Sequence, residues 1–306
     1  MKYLITGGAG FIGTNLAKQL LAEGHSVRVF DNYFGGRMPE RVLDGVDYVE
    51  GDIRDKSALD SAMLGVDGVF HMAALPRVIF SIEHPLETHD VNVNGTLNVL
   101  LSARDNGVKR VVFSSSSSAY GDQPPECYPL KEDGLVKKPL APYALHKFIG
   151  EHYCRLFAEL YGLETVSLVY YNVFGPLCDP NGAYALVIGK FLQQRKEGKP
   201  MTVRGDGEMY RDYTHVSDVA RANILAMTKE TVGKGETINI GAGHPYSVND
   251  LTKLIGGPTV TVDAMPGEMK YTKADITKAR ELLGWEPTIS VPEGIAALKR
   301  EWGLEE

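Results

Sequence analysis

The chain has 306 residues, 43% of them hydrophobic and 23% charged, with a formal net charge of −7; that is globular composition, long enough for one large domain or two smaller ones. No apolar run approaches the roughly 18–20 residues that cross a bilayer, and the opening MKYLITGG lacks signal-peptide architecture, so a cytoplasmic protein with no membrane partner is expected. Basic residues are scattered rather than striped, which argues against a nucleic-acid partner, and the three cysteines and eight histidines show no metal spacing, so free thiols and no metal are expected.

In chain order, the first half alternates apolar runs with amphipathic segments. Strands are expected at 2–6 (KYLIT), 26–30 (SVRVF), 46–50 (VDYVE), 67–73 (DGVFHMA) and 109–115 (KRVVFSS). Helices are expected at 11–24, 56–64 and 93–107, each ending near glycine. This alternation implies an α/β fold, a Rossmann-type doubly wound parallel sheet covered on both faces. A sixth strand is expected at 164–175 (ETVSLVYYNVFG), a late one at 236–241 (ETINIG), and a helix at 247–256 capped by Ser247. The expected organisation is a dinucleotide-binding domain over 1–171, to which segments near 205–241 return. A smaller, mixed α/β substrate-binding lobe over 172–306 grows out of it without a linker.

The stretch TGGAGFIG (6–13) follows the first strand and opens the first helix. Gly7, Gly10 and Gly13 allow a tight turn and close approach of a pyrophosphate, while Phe11 and Ile12 begin a helix whose free N–H groups attract it. The second strand ends in Asp31 and Asn32. A carboxylate at that place accepts both ribose hydroxyls of an adenosine and repels a 2′-phosphate, so NAD is the expected cofactor. Arg37, close by, keeps NADP as the lesser alternative. Asp52 and Ile53, after the third strand, are placed to reach the adenine.

In YALHK, Tyr143 and Lys147 stand four residues apart, on one helix face a turn apart. A free phenol titrates near pH 10, and a lysine ammonium beside a positively charged nicotinamide would favour its phenolate. Five serines, Ser114 to Ser118, leave the end of the fifth strand. Ligands of parallel sheets bind beyond the C-terminal ends of the strands, so this run is expected to floor a site and hold a sugar hydroxyl beside Tyr143. Ser114 and Ser115 also have local backbone groups to satisfy.

Seven motifs in order, TGGAGFIG, DVNVNGTLNVL, FSSSSSAYGD, YALHK, YYNVFGP, RDYTHVSDVA and KADITKARELLGW, make the whole chain resemble the extended short-chain dehydrogenase/reductase family. Within it, the chain is similar to the UDP-hexose 4-epimerases. The resemblance implies Ser116 as catalytic hydroxyl, Tyr143 as base and Lys147 as ligand of the nicotinamide ribose. It implies Ala73, Ala74, Asn92, Ser114 and Tyr170 around the cofactor and Ser117 and Ser118 along the sugar pocket. Asn172, Val187, Arg211 and Tyr213 would hold the nucleotide diphosphate of a UDP-sugar, with Glu268 and Thr272 also against the substrate. Thr272 replaces a bulky tyrosine of galactose-only relatives, which implies room for a 2-acetamido group. The helices carrying Asn92–Arg104 and Tyr143–Tyr161 would pair as a four-helix bundle across a homodimer.

Two departures stand out. Met265 takes the place of an arginine that grips the pyrophosphate in many members, with Glu268 for the aspartate, and His146 precedes Lys147 where serine or threonine is usual. The function implied is NAD-dependent C4 epimerisation of UDP-glucose and UDP-galactose, with the N-acetylated sugars as further candidates. A 4,6-dehydratase or decarboxylase is the alternative within the family, but relatives with those activities carry carboxylates where this chain has Ser117 and Ser118. A non-catalytic dinucleotide-binding sensor is the alternative of another class, and the Tyr143–Lys147 pair speaks against it.

Overall fold

The computed structural model describes residues 1–180, 187–263 and 269–304. Strands β1 (Lys2–Thr6), β2 (Ser26–Asp31), β3 (Val46–Glu50), β4 (Gly68–His71), β5 (Arg110–Ser116) and β6 (Glu164–Tyr170) are joined by the strand Lys234–Ile240. They form one seven-stranded sheet in the order β3, β2, β1, β4, β5, β6, then Lys234–Ile240, every pair parallel. Helices α1 (Phe11–Ala22), α2 (Lys56–Met63), α3 (Val78–Glu83), α4 (Pro85–His89), α5 (Thr96–Asp105) and α6 (Pro142–Tyr161) make the crossovers of the first half. Strand order reverses between β1 and β4, and such a switch point opens a crevice at the C-terminal edge of the sheet.

The period of two splits the core. In β1, Tyr3 and Ile5 face Leu16 and Leu20 of α1 and Val219 of the helix Val216–Thr228. Leu4 faces the other way, with Leu59 of α2, Leu100 of α5 and Phe157 of α6. A third cluster, including Phe174, Phe191, Met201, Val203, Leu251 and Ile295, lies beyond the sheet edge. It is framed by two strand pairs, Met201–Arg204 with Thr259–Val262 and Tyr210–Asp212 with Pro245–Ser247, and by the helices Val187–Lys196, Val248–Ile255 and Val291–Trp302. Ser247 caps the second of these helices in a capping box with Asp250.

Three expected elements are altered by tertiary contacts. The fourth strand stops at His71, because the chain must leave the sheet where Ala73 meets Gly7. The sixth stops at Tyr170, and Val173–Phe174 pairs instead with Thr214–His215 as the chain passes into the third cluster. The helix expected from 93 begins earlier, with a π-helical turn over Asp90–Gly95 leading into α5.

Among the described residues no group of three or more His, Cys, Asp or Glu could hold a metal ion. No described helix is long and apolar enough to cross a membrane. No disulfide joins Cys127, Cys154 and Cys178.

His71, at the end of β4, is buried between two threonines. The Thr96 hydroxyl donates its one proton to the Asn92 carbonyl at 2.7 Å, so it accepts from Nε2–H of His71 at 2.9 Å. Nδ1 then accepts from the Thr6 hydroxyl at 2.7 Å. The ring is therefore held neutral, and burial pushes its pKa down to about 3. A folded pKa below the unfolded value stabilises the fold above about pH 6.5, a contribution lost as the pH falls toward 3. The gap corresponds to roughly 4–5 kcal/mol. Urea titrations are expected to show stability falling as the pH drops below about 6.5, with a shallower slope in a His71→Gln variant.

Candidate active site

A cleft of about 1170 Å³ runs along the C-terminal edge of the sheet. Pockets for one small ligand measure roughly 300–1,000 Å³, so this cleft is larger than a single such ligand needs. Its walls come from the β1–α1 turn, the ends of β2 to β6, the start of α6 and the third cluster.

At one end, Gly7 adopts a left-handed φ of 69°. A Cβ there would lie 2.6 Å from the Ala73 nitrogen, and one at Gly13 would lie 2.6 Å from the Gly8 Cα. The turn is thus packed where only glycine fits, and no side chain caps α1 behind Gly10. The first-turn N–H groups, on Phe11 and Ile12 in the cleft wall, are left for an anion. Asp31 closes this end. Its carboxylate accepts from the Ala9 N–H at 3.0 Å and the Tyr33 N–H at 2.8 Å, and burial raises its pKa. Asn32 donates to Asp52 at 2.9 Å, and Arg54 on the same carboxylate pulls it down to about 2. Arg37 is ion-paired with Glu50 and stacked on Tyr33, and it is not part of the cleft wall. This cradle fits the dinucleotide that the glycine turn implies, with Ile53, Ala73 and Ala74 continuing the wall.

In the middle, β5 delivers the serine run. The strand lasts through Ser116, and Ser117–Tyr120 form a 3₁₀ turn capped by the Ser116 hydroxyl. Ser118 donates to Ser116 Oγ at 2.9 Å. Tyr143 and Lys147 stand on α6, which starts at Pro142 and ends at a left-handed Gly162. Lys147 Nζ donates to the Ser114 carbonyl at 2.7 Å and lies 4.9 Å over the Phe113 ring. Burial brings Lys147 down to about 8. Burial pushes Tyr143 up to about 12, against the lowering effect of its hydrogen bond with Ser116. The phenolate expected from the lysine is therefore not favoured by the protein alone, because desolvation outweighs every other local effect on this phenol. Ser114 Oγ donates to the Tyr170 hydroxyl at 3.0 Å, and that hydroxyl donates to Asn223 at 2.9 Å. Tyr170 thus presents its ring, not its hydroxyl, to the cleft.

At the far end, Asn172, Val187, Arg211 and Tyr213 join Ser117 and Ser118 in the wall. Two expected residues, Asn92 and Thr272, are not part of the cleft wall. Asn92 is buried, and its side chain bonds both backbone groups of Leu75, at 2.8 and 3.1 Å; it shapes the 73–75 turn from behind. Thr272 is fully buried, its Oγ1 accepting from the Asp212 N–H at 3.0 Å. Glu268, with Met265, lies outside the described residues. Thr272→Val is accordingly expected to cost about 1–3 kcal/mol by orphaning a buried N–H. The melting temperature should fall, while the relative rates on large and small sugars stay unchanged.

Several wall residues carried no recognisable signal. Arg77, Val78 and Ile79 follow an irregular turn, and Lys190 stands on a short helix. Arg204 was legible in principle: in Met201–Arg204 the first and third residues are buried and the other two are not, an alternation that turns Thr202 and Arg204 to the cleft.

The family model of the NAD dependent epimerase/dehydratase family matches residues 3–241. A putative UDP-glucose 4-epimerase of Methanocaldococcus jannaschii is 38% identical, over 95% of each chain. Among solved structures, the UDP-glucose 4-epimerase of Thermotoga maritima with UDP-glucose superposes with a TM-score of 0.93 at 36% identity, covering 100% of both chains. That of Thermus thermophilus in complex with NAD gives 0.90 at 33% identity, covering 99% of each. The chain is an enzyme of the NAD-dependent epimerase/dehydratase family, within the extended short-chain dehydrogenases/reductases.

Proposed function

We propose that the protein inverts C4 of a UDP-hexose, interconverting UDP-glucose and UDP-galactose, with the N-acetylated forms as candidate substrates. The observation that carries this reading is the Ser116–Tyr143–Lys147 group in a cleft larger than one small ligand needs, with hydroxyls, not carboxylates, at 117 and 118. A dehydratase or decarboxylase must move further protons, and a hydroxyl of ordinary pKa is a poor acid or base for that.

In this reading Tyr143 takes the proton from the sugar O4, with Ser116 bridging phenol and hydroxyl. Lys147, anchored on the Ser114 carbonyl, is set to hold the nicotinamide ribose. When bound, NAD supplies a positive charge beside the phenol and a reversible acceptor for the C4 hydride, so that the sugar passes through a 4-keto form. Ser117 and Ser118 offer hydrogen bonds to either face of the sugar. Arg211 holds the diphosphate, leaving the hexose free to turn about it. The exposed Leu145, Leu160 and Tyr161 on α6 support a homodimer through this helix and α5, measurable by light scattering.

The test is an NMR product assay across UDP-glucose, UDP-galactose and their N-acetylated forms, with no cofactor added. NAD is expected to co-purify, and C4 epimers are expected to form without release of NADH. Free NADH accumulating in step with product would mean net oxidation and would overturn the epimerase reading.

A further inference from the structure

Behind the serine run lies a buried charge pair that the mechanism does not use. Glu151 stands on α6 four residues after Lys147 and eight after Tyr143, so the three share one helix face. Each meets β5 or its end. Tyr143 bonds Ser116, Lys147 bonds the Ser114 carbonyl at 2.7 Å, and Glu151 accepts from Ser115 Oγ at 2.5 Å. The Ser115 hydroxyl is therefore bonded into the helix, while the residue still borders the cleft. Helix and strand are closely seated here: a Cβ at Gly150 would fall 2.4 Å from the Phe113 ring.

The other oxygen of Glu151 is paired with Lys137, and both side chains are only 5% exposed. Lys137 stacks 4.7 Å over Tyr120 and 5.2 Å over Phe148. It belongs to the segment that runs directly into α6. Its neighbour Lys138 donates its N–H to the Tyr120 carbonyl at 3.1 Å, and the Lys138 carbonyl lies so close to Gly121 that a Cβ there would sit 1.8 Å away. One charge thus ties together the serine strand, the turn after it and the entry to α6.

We infer that Glu151 and Lys137 are positioning residues, which set Ser116 against Tyr143 by holding the neighbouring Ser115 of the same strand against α6. A pair kept only for stability would be an uneconomical choice, since buried ion pairs recover little beyond their desolvation cost. A pair that fixes register is where such an arrangement has its best-attested use. The inference rests on the role of Tyr143 proposed above.

The experiment compares wild type with Glu151→Gln, Lys137→Met and Ser115→Ala, all loaded with NAD. The last variant leaves no charge unpaired and keeps the test open should the others fail to fold. Each is expected to lower kcat by about 10²-fold, the scale that a displacement of about 1 Å costs, with KM and NAD content unchanged. The Ser116 hydrogen bond lowers the Tyr143 pKa, so its loss should move ionisation of Tyr143 to higher pH. That midpoint is read by ultraviolet difference spectra of each protein against its Tyr143→Phe counterpart. Variants that lose only melting temperature, with kcat and the Tyr143 midpoint as in wild type, would overturn the inference. Wild-type protein inert toward every nucleotide sugar would sink the epimerase reading, and the titration would still decide this one.

Discussion

Tyr143→Phe is expected to lower kcat by about 10²–10⁴, the usual contribution of a positioned general acid–base group, while NAD stays bound. The phenol ring helps to wall the cleft beside Ala144 and Lys147, so phenylalanine keeps the shape and removes only the hydroxyl. The hydroxyl bonds Ser116, whose other partners are the N–H and hydroxyl of Ser118. Ser116 therefore retains partners, and the fold should not suffer. Because Tyr143 stands at about 12 in the protein alone, its activity depends on what binds beside it. The wild-type rate should rise with pH until another group fails, and this limb should vanish in the variant. Retention of more than about a tenth of the wild-type rate would place the base elsewhere.

The second large effect is expected at the glycine turn. Gly7→Ala carries two penalties. A left-handed φ of 69° costs an L-residue about 1–2 kcal/mol. The new Cβ would also lie 2.6 Å from the nitrogen and 2.7 Å from the Cα of Ala73. Those atoms are backbone and cannot rotate aside, so either the glycine turn after β1 or the 73–75 turn must move. Both line the cofactor end of the cleft. NAD affinity should fall by about 100-fold or more, equivalent to about 2.7 kcal/mol, and the protein should purify without its dinucleotide. Gly65 provides the control. It has nearly the same φ, 68°, yet nothing lies within 4 Å of its added Cβ. Gly65→Ala is expected to lose only the conformational part of the stability, with NAD retained. Equal NAD content in the two variants would show that crowding at Gly7 does not matter.

The sequence by itself determined the layered fold and most of the site, because both rest on local signals. Short apolar runs located the first three strands almost to the residue. Motifs fixed by short-range geometry also survived: the glycine turn, the acidic end of β2 and the i, i+4 tyrosine–lysine pair all reach one cleft. Tertiary structure decided what depends on partners distant in the chain. Asn92 and Thr272 look like ligand-facing residues in a linear motif, yet Leu75 and Asp212 claim their side chains. The serine run reads as one patch of hydroxyls, but the Ser115 hydroxyl is claimed by Glu151 of α6 and that of Ser114 by Tyr170, which leaves Ser116 to bond Tyr143. The titration of Tyr143 shows the same limit. A lysine four residues away suggests a phenolate, and only the packed structure shows that burial outweighs it. Sequence spacing sets which groups can share a face; desolvation and hydrogen-bond competition, which act between segments, set what each group does there.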